Sequence, residues 1–186
     1  MNLISKSDFR KLVFQKRRKY SLLLWKENSL KICQKIRSLK DWLISQNIGF
    51  YSAIDKEVNL EELIGEAFLK NKRVFLPKTW FKEKRLSFHQ IFSLSDLKPG
   101  AFKILEPPLS APLIEVSQLD LIFVPGVAFD LYKGRLGYGV GFYDRVLAQT
   151  KALKVGVAFS FQIFERLPLE EHDQRVDLVV TEEGVF

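Results

Sequence analysis

Residues 119–147 read LDLIFVPGVAFDLYKGRLGYGVGFYDRVL, and this stretch decides the fold of the 186-residue chain. Residues 119–124 form a run that is apolar apart from Asp120, is too short to cross a membrane and is followed at once by Pro125-Gly126, so a buried strand is predicted. Four glycines then fall between Gly134 and Gly141, after which FYDRVLAQ resumes helical spacing. The predicted order is strand, glycine-rich loop (residues 134–141) and helix.

A glycine-rich loop between a strand and a helix is suited to binding an anion. The glycines let backbone N–H groups point into one concavity and let a phosphate approach without meeting a Cβ atom, while the first helical turn adds unpaired N–H groups. Arg135 adds a guanidinium that matches phosphate oxygens. A simple tight turn is the alternative, because the spacing matches neither the dinucleotide fingerprint nor the Walker loop.

Asp144 lies just inside the predicted helix and has two interpretations. A carboxylate in the first turn stabilises a helix dipole by a few tenths of a kcal/mol up to about 1 kcal/mol. It is equally suited to hold a magnesium ion that arrives with a nucleotide. The spacing favours neither.

Length and composition predict one domain, residues 1–186, of an ordinary globular protein with 47% hydrophobic and 27% charged residues. The single cysteine, Cys33, cannot form an internal disulfide and predicts a reducing compartment, the cytoplasm. The first residues lack the apolar core of a signal peptide, and no run of about 18 apolar residues occurs. We therefore expect no membrane association.

The positive charge is concentrated at the front of the chain. Residues 1–47 carry twelve of the 29 basic and three of the 22 acidic residues, which gives them a net charge of +9 and the remainder −2. Such a region suits a nucleic acid, a membrane surface, or a smaller polyanion such as a nucleotide or a folate with a glutamate tail. A solvated helix face is the ordinary alternative.

Hydrophobic periodicity predicts helices alternating with strands. Helices are expected from Ser5 or Ser7 to about Tyr20, from Ser21 to about Gln46 and from Asn59 to about Lys70, and strands over residues 48–54, 73–80, 86–91, 154–159 and 176–180. Strands separated by helices or long crossovers favour a mainly parallel sheet covered by helices on both faces. The expected fold is a Rossmann-like three-layer α/β domain, similar to phosphosugar isomerases and CoA transferases, with a basic N-terminal helical region.

The segment PGVAFD followed by GRLGYGVGFYDR resembles the signature of the 5-formyltetrahydrofolate cyclo-ligase family, also called methenyltetrahydrofolate synthetases. Further landmarks of that family occur in order over nearly the whole chain: Lys6 with Phe9-Arg10, residues 51–58 with Glu57-Val58, FLPK at 75–78, residues 104–107, and residues 168–177 leading into RVDLVVTEEG.

The resemblance implies a reaction in which ATP phosphorylates the formyl oxygen of 5-formyltetrahydrofolate and the ring closes to 5,10-methenyltetrahydrofolate. It implies Mg²⁺ as cofactor, ATP and a reduced folate as the partners, a monomer, and no nucleic acid. Such chemistry requires positioning and charge neutralisation more than covalent help, and no covalent catalyst is predicted.

The resemblance also implies the residues of the site. The ATP-binding residues are Lys6 and Arg10, which lie four apart on one helical face, with Gly134, Arg135, Leu136, Gly137, Tyr138, Gly139, Val140, Gly141, Phe142 and Tyr143. The folate-binding residues are Ser52, Glu57, Tyr138, Phe142 and Tyr143. The metal-binding residues are Asp144 and Asp177.

Two positions depart from the commonest family pattern. Val140 stands where many relatives have Gly or Lys, so it adds a Cβ and brings no charge. Phe142 replaces a frequent Tyr and lacks its hydroxyl. Two other side chains have competing interpretations: Tyr143 either orients the formyl group or packs in the core, and His172 is either a general acid or base or a loop histidine bonded to a neighbouring backbone group.

Two rival functions remain open from the sequence. One is a nucleic-acid-binding protein that uses the basic N-terminal helices, although the interleaved aromatic residues of a single-strand binder are missing. The other is a phosphosugar-type enzyme on a similar fold, which a fold alone does not exclude.

Overall fold

The computed structural model describes residues 5–100 and 104–186. The helices are α1 (Lys6–Lys19), α2 (Leu22–Arg37), α3 (Lys40–Ile44), α4 (Glu61–Leu69) and α5 (Phe142–Leu147). The first helix is confirmed, and the Ser5 side chain accepts a hydrogen bond from the backbone N–H of Asp8 as its N-terminal cap. No helix among the described residues is long and apolar enough to cross a membrane.

The single second helix predicted to run to about Gln46 is wrong. It ends at Arg37, and Leu39 is extended before the chain re-enters α3. The break lets the Trp42 ring pack at 6.4 Å from Phe50 and 6.2 Å from Phe123, centroid to centroid. Burial of this large ring in the core overrides the helical periodicity of the sequence.

The strands are β1 (Asn47–Gly49), β2 (Arg73–Trp80), β3 (Arg85–Ile91), β4 (Lys98–Pro99), β5 (Leu105–Glu106), β6 (Leu113–Ile114), β7 (Leu121–Pro125), β8 (Ala128–Asp130), β9 (Arg135–Leu136), β10 (Leu153–Val157), β11 (Ile163–Phe164) and β12 (Leu178–Val180). The main sheet has the order β12-β10-β7-β1-β2-β3-β6. Its first five strands are parallel, and β3 is antiparallel to both of its neighbours. The prediction of a mainly parallel sheet is confirmed.

Helices cover both faces of this sheet. In β7, Leu121 and Phe123 belong to the core formed with α2, α3 and α4. Ile122 and Val124 belong to the core formed with α5. Successive side chains of a strand point to opposite faces, so the unbroken apolar run of β7 reflects burial on both sides.

The strand predicted over residues 48–54 is shorter than expected, and its remainder becomes part of the site. β1 ends at Gly49, and the chain reverses at Asp55 and Lys56, whose φ angles are 45° and 54°. The backbone N–H of Glu57 then donates to the Ile54 carbonyl at 2.8 Å. This turn brings the Glu57 side chain back toward the carboxyl ends of the parallel strands.

A second, three-stranded sheet of order β11-β8-β9 positions the glycine-rich loop. The carboxylate of Asp130 is buried and accepts hydrogen bonds from the backbone N–H groups of Tyr132, Gly134 and Leu167. These bonds fix the turn between β8 and β9, and the chain enters the loop from a rigid base.

Candidate active site

A cavity of about 630 Å³ lies at the carboxyl ends of the parallel strands, where open α/β sheets bind their ligands. Its volume is in the range of small-molecule sites. The start of α1, the loop after β1, the glycine-rich loop and the acidic loop (residues 170–173) all contribute to its walls.

Most of the predicted site residues line this one cavity. They are Lys6, Arg10, Ser52, Glu57, Arg135, Leu136, Gly137, Tyr138, Gly139, Val140, Gly141, Phe142, Tyr143 and Asp144. Residues more than 130 positions apart in the sequence therefore meet in one place, as expected for a composite site.

Two predicted site residues lie outside the cavity lining. Gly134 is buried behind the loop, where a Cβ atom would come within 2.4 Å of Leu169 and 2.7 Å of Asp130. Asp177 is exposed at the start of β12 and accepts a 2.7 Å hydrogen bond from the backbone N–H of Lys154. Because parallel strands start at the opposite edge from the cavity, Asp177 and Asp144 are not brought together as a metal-binding pair.

Arg135 is the most buried cation of the cavity wall, with 3% of its side chain exposed. Its Nη2 atom donates to Oδ1 of Asp144 at 2.7 Å, and its guanidinium lies 5.7 Å from the centre of the Tyr143 ring. Its Nε atom has no hydrogen-bond partner among the described residues. A buried donor without an acceptor costs folding free energy, so this guanidinium is suited to bind a further negatively charged group.

Lys6 and Arg10 extend from one face of α1 into the same region. Lys6 Nζ contacts Asp173 at 2.6 Å and Glu170 at 3.0 Å, and Arg10 Nε donates to the Gly137 carbonyl at 2.8 Å. Burial alone would lower the pKa of Lys6, but the hydrogen bonds to Asp173 and Glu170 outweigh it and the pKa is raised. Lys6 is therefore a charged ammonium group.

The glycines of the loop pack against arginine side chains. A Cβ atom on Gly137 would lie 2.8 Å from Nη1 of Arg135, and one on Gly139 would lie 3.4 Å from Nη2 of Arg10. Gly139 also has a φ angle of 103°, which side chains rarely adopt. The glycines thus allow guanidinium groups to approach the backbone closely. This role is additional to the predicted one of letting a phosphate approach.

Glu57 is a buried carboxyl group that lines the same cavity. Burial raises its pKa to about 7, against the lowering effects of Arg17, of a hydrogen bond from the Ile54 backbone N–H and of a hydrogen bond from Tyr138. A carboxyl group with such a pKa changes protonation near neutral pH.

Tyr143 and Ser52 complete the polar groups near Glu57. The Tyr143 hydroxyl is buried and has no hydrogen-bond partner within residues 5–100 and 104–186, and burial raises the pKa of this phenol. The Ser52 hydroxyl donates to the Leu105 carbonyl at 2.5 Å. The unpartnered Tyr143 hydroxyl belongs to a side chain that lines the cavity, so it fits a ligand-binding role better than the core-packing alternative.

Sequence reasoning missed several cavity residues. Glu170 and Asp173 of the acidic loop line the cavity and hold Lys6, and Glu106 lines its far wall beside the backbone N–H of Thr79. Asp173 and Glu106 both fall within the family landmarks, which was the available signal. His172 also lines the cavity, but its side chain is 72% exposed and lies 3.6 Å from Glu170.

Arg17 is the most informative omission. It sits in the run Lys16–Lys19, which looks like a solvated basic face, yet it is only 1% exposed. Lys6, Arg10 and Arg17 are thus three of the twelve front cations that turn toward the interior or the cavity. Part of the positive charge of residues 1–47 therefore lies inside the protein or at the cavity. This weakens the argument that these residues form a nucleic-acid-binding surface.

The carboxylates near the glycine-rich loop suit a magnesium ion only if substrate phosphates and water supply its other ligands. The described residues contain no group of three or more His, Cys, Asp or Glu side chains placed to hold a metal. Asp144 lines the cavity, and its Oδ1 atom already accepts from Arg135 and from the backbone N–H of Gln174. Magnesium commonly takes one or two carboxylates together with substrate phosphates and water, and Asp144 suits that arrangement.

Comparison with known proteins places the chain among folate enzymes. The model of the 5-formyltetrahydrofolate cyclo-ligase family matches residues 2–182. The 5-formyltetrahydrofolate cyclo-ligase of Saccharomyces cerevisiae is 37% identical over 179 residues, covering 82% of this chain and 83% of the yeast protein. The 5-formyltetrahydrofolate cyclo-ligase of Escherichia coli K12 is 36% identical over 149 residues, covering 77% of this chain and 82% of the E. coli protein.

A solved structure agrees with the sequence relatives. The NMR structure of Aquifex aeolicus 5,10-methenyltetrahydrofolate synthetase superposes with a TM-score of 0.87 at 42% identity, covering 97% of this chain and 91% of that one.

Proposed function

The chain belongs to the 5-formyltetrahydrofolate cyclo-ligase family, and on that premise we propose how its cavity performs the reaction. It is a cyclo-ligase, which converts 5-formyltetrahydrofolate to 5,10-methenyltetrahydrofolate. ATP is the co-substrate. The observation that carries the proposal is one cavity that is lined by Lys6, Arg10, the glycine-rich loop and Glu57.

The reaction divides into a phosphoryl transfer and a ring closure. The formyl oxygen attacks the γ-phosphorus of ATP, and the bond between that phosphorus and the ADP oxygen breaks. The nitrogen at position ten of the folate then attacks the formyl carbon and loses its proton, and the carbon–oxygen bond breaks as phosphate leaves. Both steps depend chiefly on holding two substrates in line and on neutralising charge at the transferring phosphoryl group.

The triphosphate binds against the glycine-rich loop. Lys6, Arg10 and Arg135 all line this part of the cavity, and the unpartnered Nε of Arg135 gives a donor for a phosphate oxygen. The helix contributes little, because α5 has six residues and so fewer than two turns. Backbone groups of Leu136, Gly137, Gly139, Val140 and Gly141 complete the phosphate contacts. Val140 adds no charge, and the three cations carry the electrostatic role.

The folate binds on the side of Glu57 and Ser52. An ionised Glu57 carboxylate accepts hydrogen bonds from the N–H groups of the fused ring, and the unpartnered Tyr143 hydroxyl donates to the formyl oxygen. The Phe142 ring lines the cavity and lies 6.3 Å from the Phe81 ring, centroid to centroid. Phe142 therefore contributes an apolar face in place of the hydroxyl of its frequent Tyr counterpart. Tyr138 stands between the two substrates.

Asp144 would hold a Mg²⁺ ion that arrives with ATP. Such an ion would supply positive charge that neutralises the transferring phosphoryl group. Asp144 also keeps Arg135 in place through their ion pair. Asp144 thus has a third role, the orientation of Arg135, besides the helix-dipole and metal-binding interpretations drawn from the sequence.

ATP and the reduced folate are the proposed partners, and the enzyme acts as a monomer in the cytoplasm. Cys33 is buried, and burial raises the pKa of its thiol to about 12, which suits an inert side chain in a reducing compartment.

The proposal is tested by incubating the purified protein with 5-formyltetrahydrofolate, ATP and Mg²⁺ and following the absorbance of the methenyl product. We expect a rise that requires ATP and releases one ADP for each methenyl group formed. Folded protein that gives no ATP-dependent product would refute the proposal.

A further inference from the structure

Arg17 is a buried cation that contacts no carboxylate. It extends from α1 on the same face as Phe9 and Val13, which are also buried, at a spacing of four residues. An apolar side chain is the ordinary choice for such a position, because burying a charge costs free energy unless it is paired or hydrogen-bonded. No ion pair is formed by Arg17 within the described part of the chain.

The Arg17 guanidinium makes two hydrogen bonds, one of them to a residue that lines the cavity. Nη1 donates to the Tyr138 hydroxyl at 2.8 Å, and Nη2 donates to the Gly126 carbonyl at 2.8 Å. Its Nε atom has no partner among the described residues. Arg17 is absent from the cavity lining, whereas Tyr138 and Glu57 belong to it. Arg17 therefore acts on the cavity through another residue.

Tyr138 lies between Arg17 and the cavity that Glu57 lines. Its ring packs 5.7 Å from the Phe14 ring, centroid to centroid, and its hydroxyl accepts a hydrogen bond from Arg17. The charges of Arg17 and Glu57 both act on the Tyr138 hydroxyl, and the interaction with Tyr138 lowers the pKa of Glu57. The three residues come from α1, the glycine-rich loop and the loop after β1.

We infer that Arg17 is a positioning residue which holds the Tyr138 hydroxyl in the cavity wall, next to the Glu57 carboxylate that accepts the N–H donors of the folate ring. This inference deepens the proposed function and rests on it for the identity of the ligand. An ionised carboxylate presents two acceptor oxygens, whereas a protonated one must use one oxygen as a donor. Arg17 thus affects binding of the folate more than binding of ATP.

The surroundings of Glu57 support this role for Arg17. The titratable groups whose charges act on Glu57 or respond to it are Arg17, Tyr51, Asp55, Tyr138 and Tyr143. Among these, only Arg17 is a cation. Burial and Asp55 raise the pKa of Glu57, while Arg17, Tyr138 and the Ile54 N–H lower it. Loss of Arg17 or of the Tyr138 hydroxyl therefore shifts the carboxyl group toward its protonated form at neutral pH.

The experiment titrates Glu57 directly in ligand-free protein. Protein labelled with ¹³C at the glutamate carboxyl carbon is followed by NMR over pH, and the Glu57 signal is assigned by its loss in Glu57→Gln. We expect the titration midpoint to move upward in both Arg17→Leu and Tyr138→Phe, to stay lower in Arg17→Lys than in Arg17→Leu, and to be unchanged in Arg18→Leu. Arg18 is the matched control because it is the exposed neighbour in the same helix.

Kinetics supply the second readout. An upward shift of about one pKa unit from a midpoint near 7 reduces the ionised fraction at pH 7 about fivefold, so Arg17→Leu should raise the KM for folate about fivefold at pH 7. The difference should vanish at pH 9, and the KM for ATP should change less than the KM for folate. A merely structural role would lower activity at every pH.

Failure of the inference about Arg17 and failure of the proposed function give different results. An unmoved Glu57 midpoint in both Arg17→Leu and Tyr138→Phe, with both proteins folded, would overturn the inference whatever the activity. Wild-type protein without cyclo-ligase activity would instead refute the proposed function, and the NMR titration would still decide whether Arg17 controls Glu57.

Discussion

The Arg135 guanidinium and the Asp144 carboxylate form a 2.7 Å ion pair that joins the glycine-rich loop to α5. Only 3% of the Arg135 side chain and 19% of the Asp144 side chain are exposed. A buried pair of this kind fixes geometry, and removing one partner leaves the other as an uncompensated charge. The pair thus sets the direction from which Arg135 approaches a phosphate.

Substitution of Arg135 tests the phosphate-binding role. Arg135→Ala removes a fixed cation from the ATP side of the cavity, and we expect the KM for ATP to rise at least about tenfold, while the KM for folate changes less than about threefold. Steady-state kinetics with each substrate varied in turn give both constants. Arg166→Ala is the control, since Arg166 is exposed and lies outside the cavity lining. An unchanged dependence on ATP would exclude Arg135 from phosphate binding.

Asp144→Asn separates the metal-binding role from the orienting role. The amide oxygen still accepts a hydrogen bond from Arg135 but has lost its negative charge, so we expect the variant to need several-fold more Mg²⁺ for half-maximal activity. Asp144→Ala should also destabilise the fold by roughly 3 kcal/mol, because Arg135 remains buried and unpaired. Thermal unfolding and a magnesium titration measure the two effects. A wild-type magnesium titration in Asp144→Asn would contradict metal binding at this carboxylate.

Gly137→Ala tests the close packing of the loop. A Cβ atom at this position would lie 2.8 Å from Nη1 of Arg135, and we expect the guanidinium to be displaced and the KM for ATP to rise several-fold. Gly184→Ala is the matched control, because nothing lies within 4 Å of its added Cβ atom. Equal kinetics for the two variants would show that Arg135 tolerates the methyl group.

Much of the cationic, glycine-rich part of the cavity lining could be predicted from the sequence, because its signals are local. The loop glycines, Arg135 and Asp144 lie within eleven positions of one another, and Lys6 and Arg10 share a helix face by simple spacing. Asp177 shows the limit of such reasoning: a carboxylate next to a strand was assigned to the site, yet it lies where the strand begins. Which end of a strand faces the cavity depends on the direction of the chain in the assembled sheet.

Arg17 shows a different limit. Its basic neighbours suggest a solvated face, and only the approach of Tyr138 from a distant loop makes its burial tolerable. Sequence periodicity does place it four residues after Val13 on the buried face. That spacing was the one available signal, and the charge of the side chain outweighed it.

The raised pKa of Glu57 predicts that Glu57→Gln has opposite effects on stability and on activity. Its pKa is raised to about 7 in the folded protein from an ordinary value of 4.5, so the unfolded chain releases this proton at lower pH. The contribution of Glu57 to stability is therefore lost as pH rises from about 4.5 to 7. We expect Glu57→Gln to be more stable than wild type at pH 8 by on the order of 2 kcal/mol, with no such gain at pH 4.

The same substitution should damage folate use. Glu57→Gln replaces one acceptor oxygen by an amide donor, and the KM for folate should rise by more than about tenfold at pH 8. Denaturant unfolding at the two pH values and kinetics at pH 8 measure the pair of effects. A variant less stable than wild type at pH 8 would contradict the raised pKa, and an unchanged KM would remove Glu57 from the folate site.

The central claim is that one cavity holds ATP and folate in line, with the triphosphate on the glycine-rich loop. A crystal structure with a non-hydrolysable ATP analogue, Mg²⁺ and 5-formyltetrahydrofolate tests it most directly. The account predicts phosphate oxygens in contact with Lys6, Arg10 and Arg135, and the formyl oxygen facing the γ-phosphorus. A nucleotide bound elsewhere on the molecule, with the loop packed against protein alone, would contradict it.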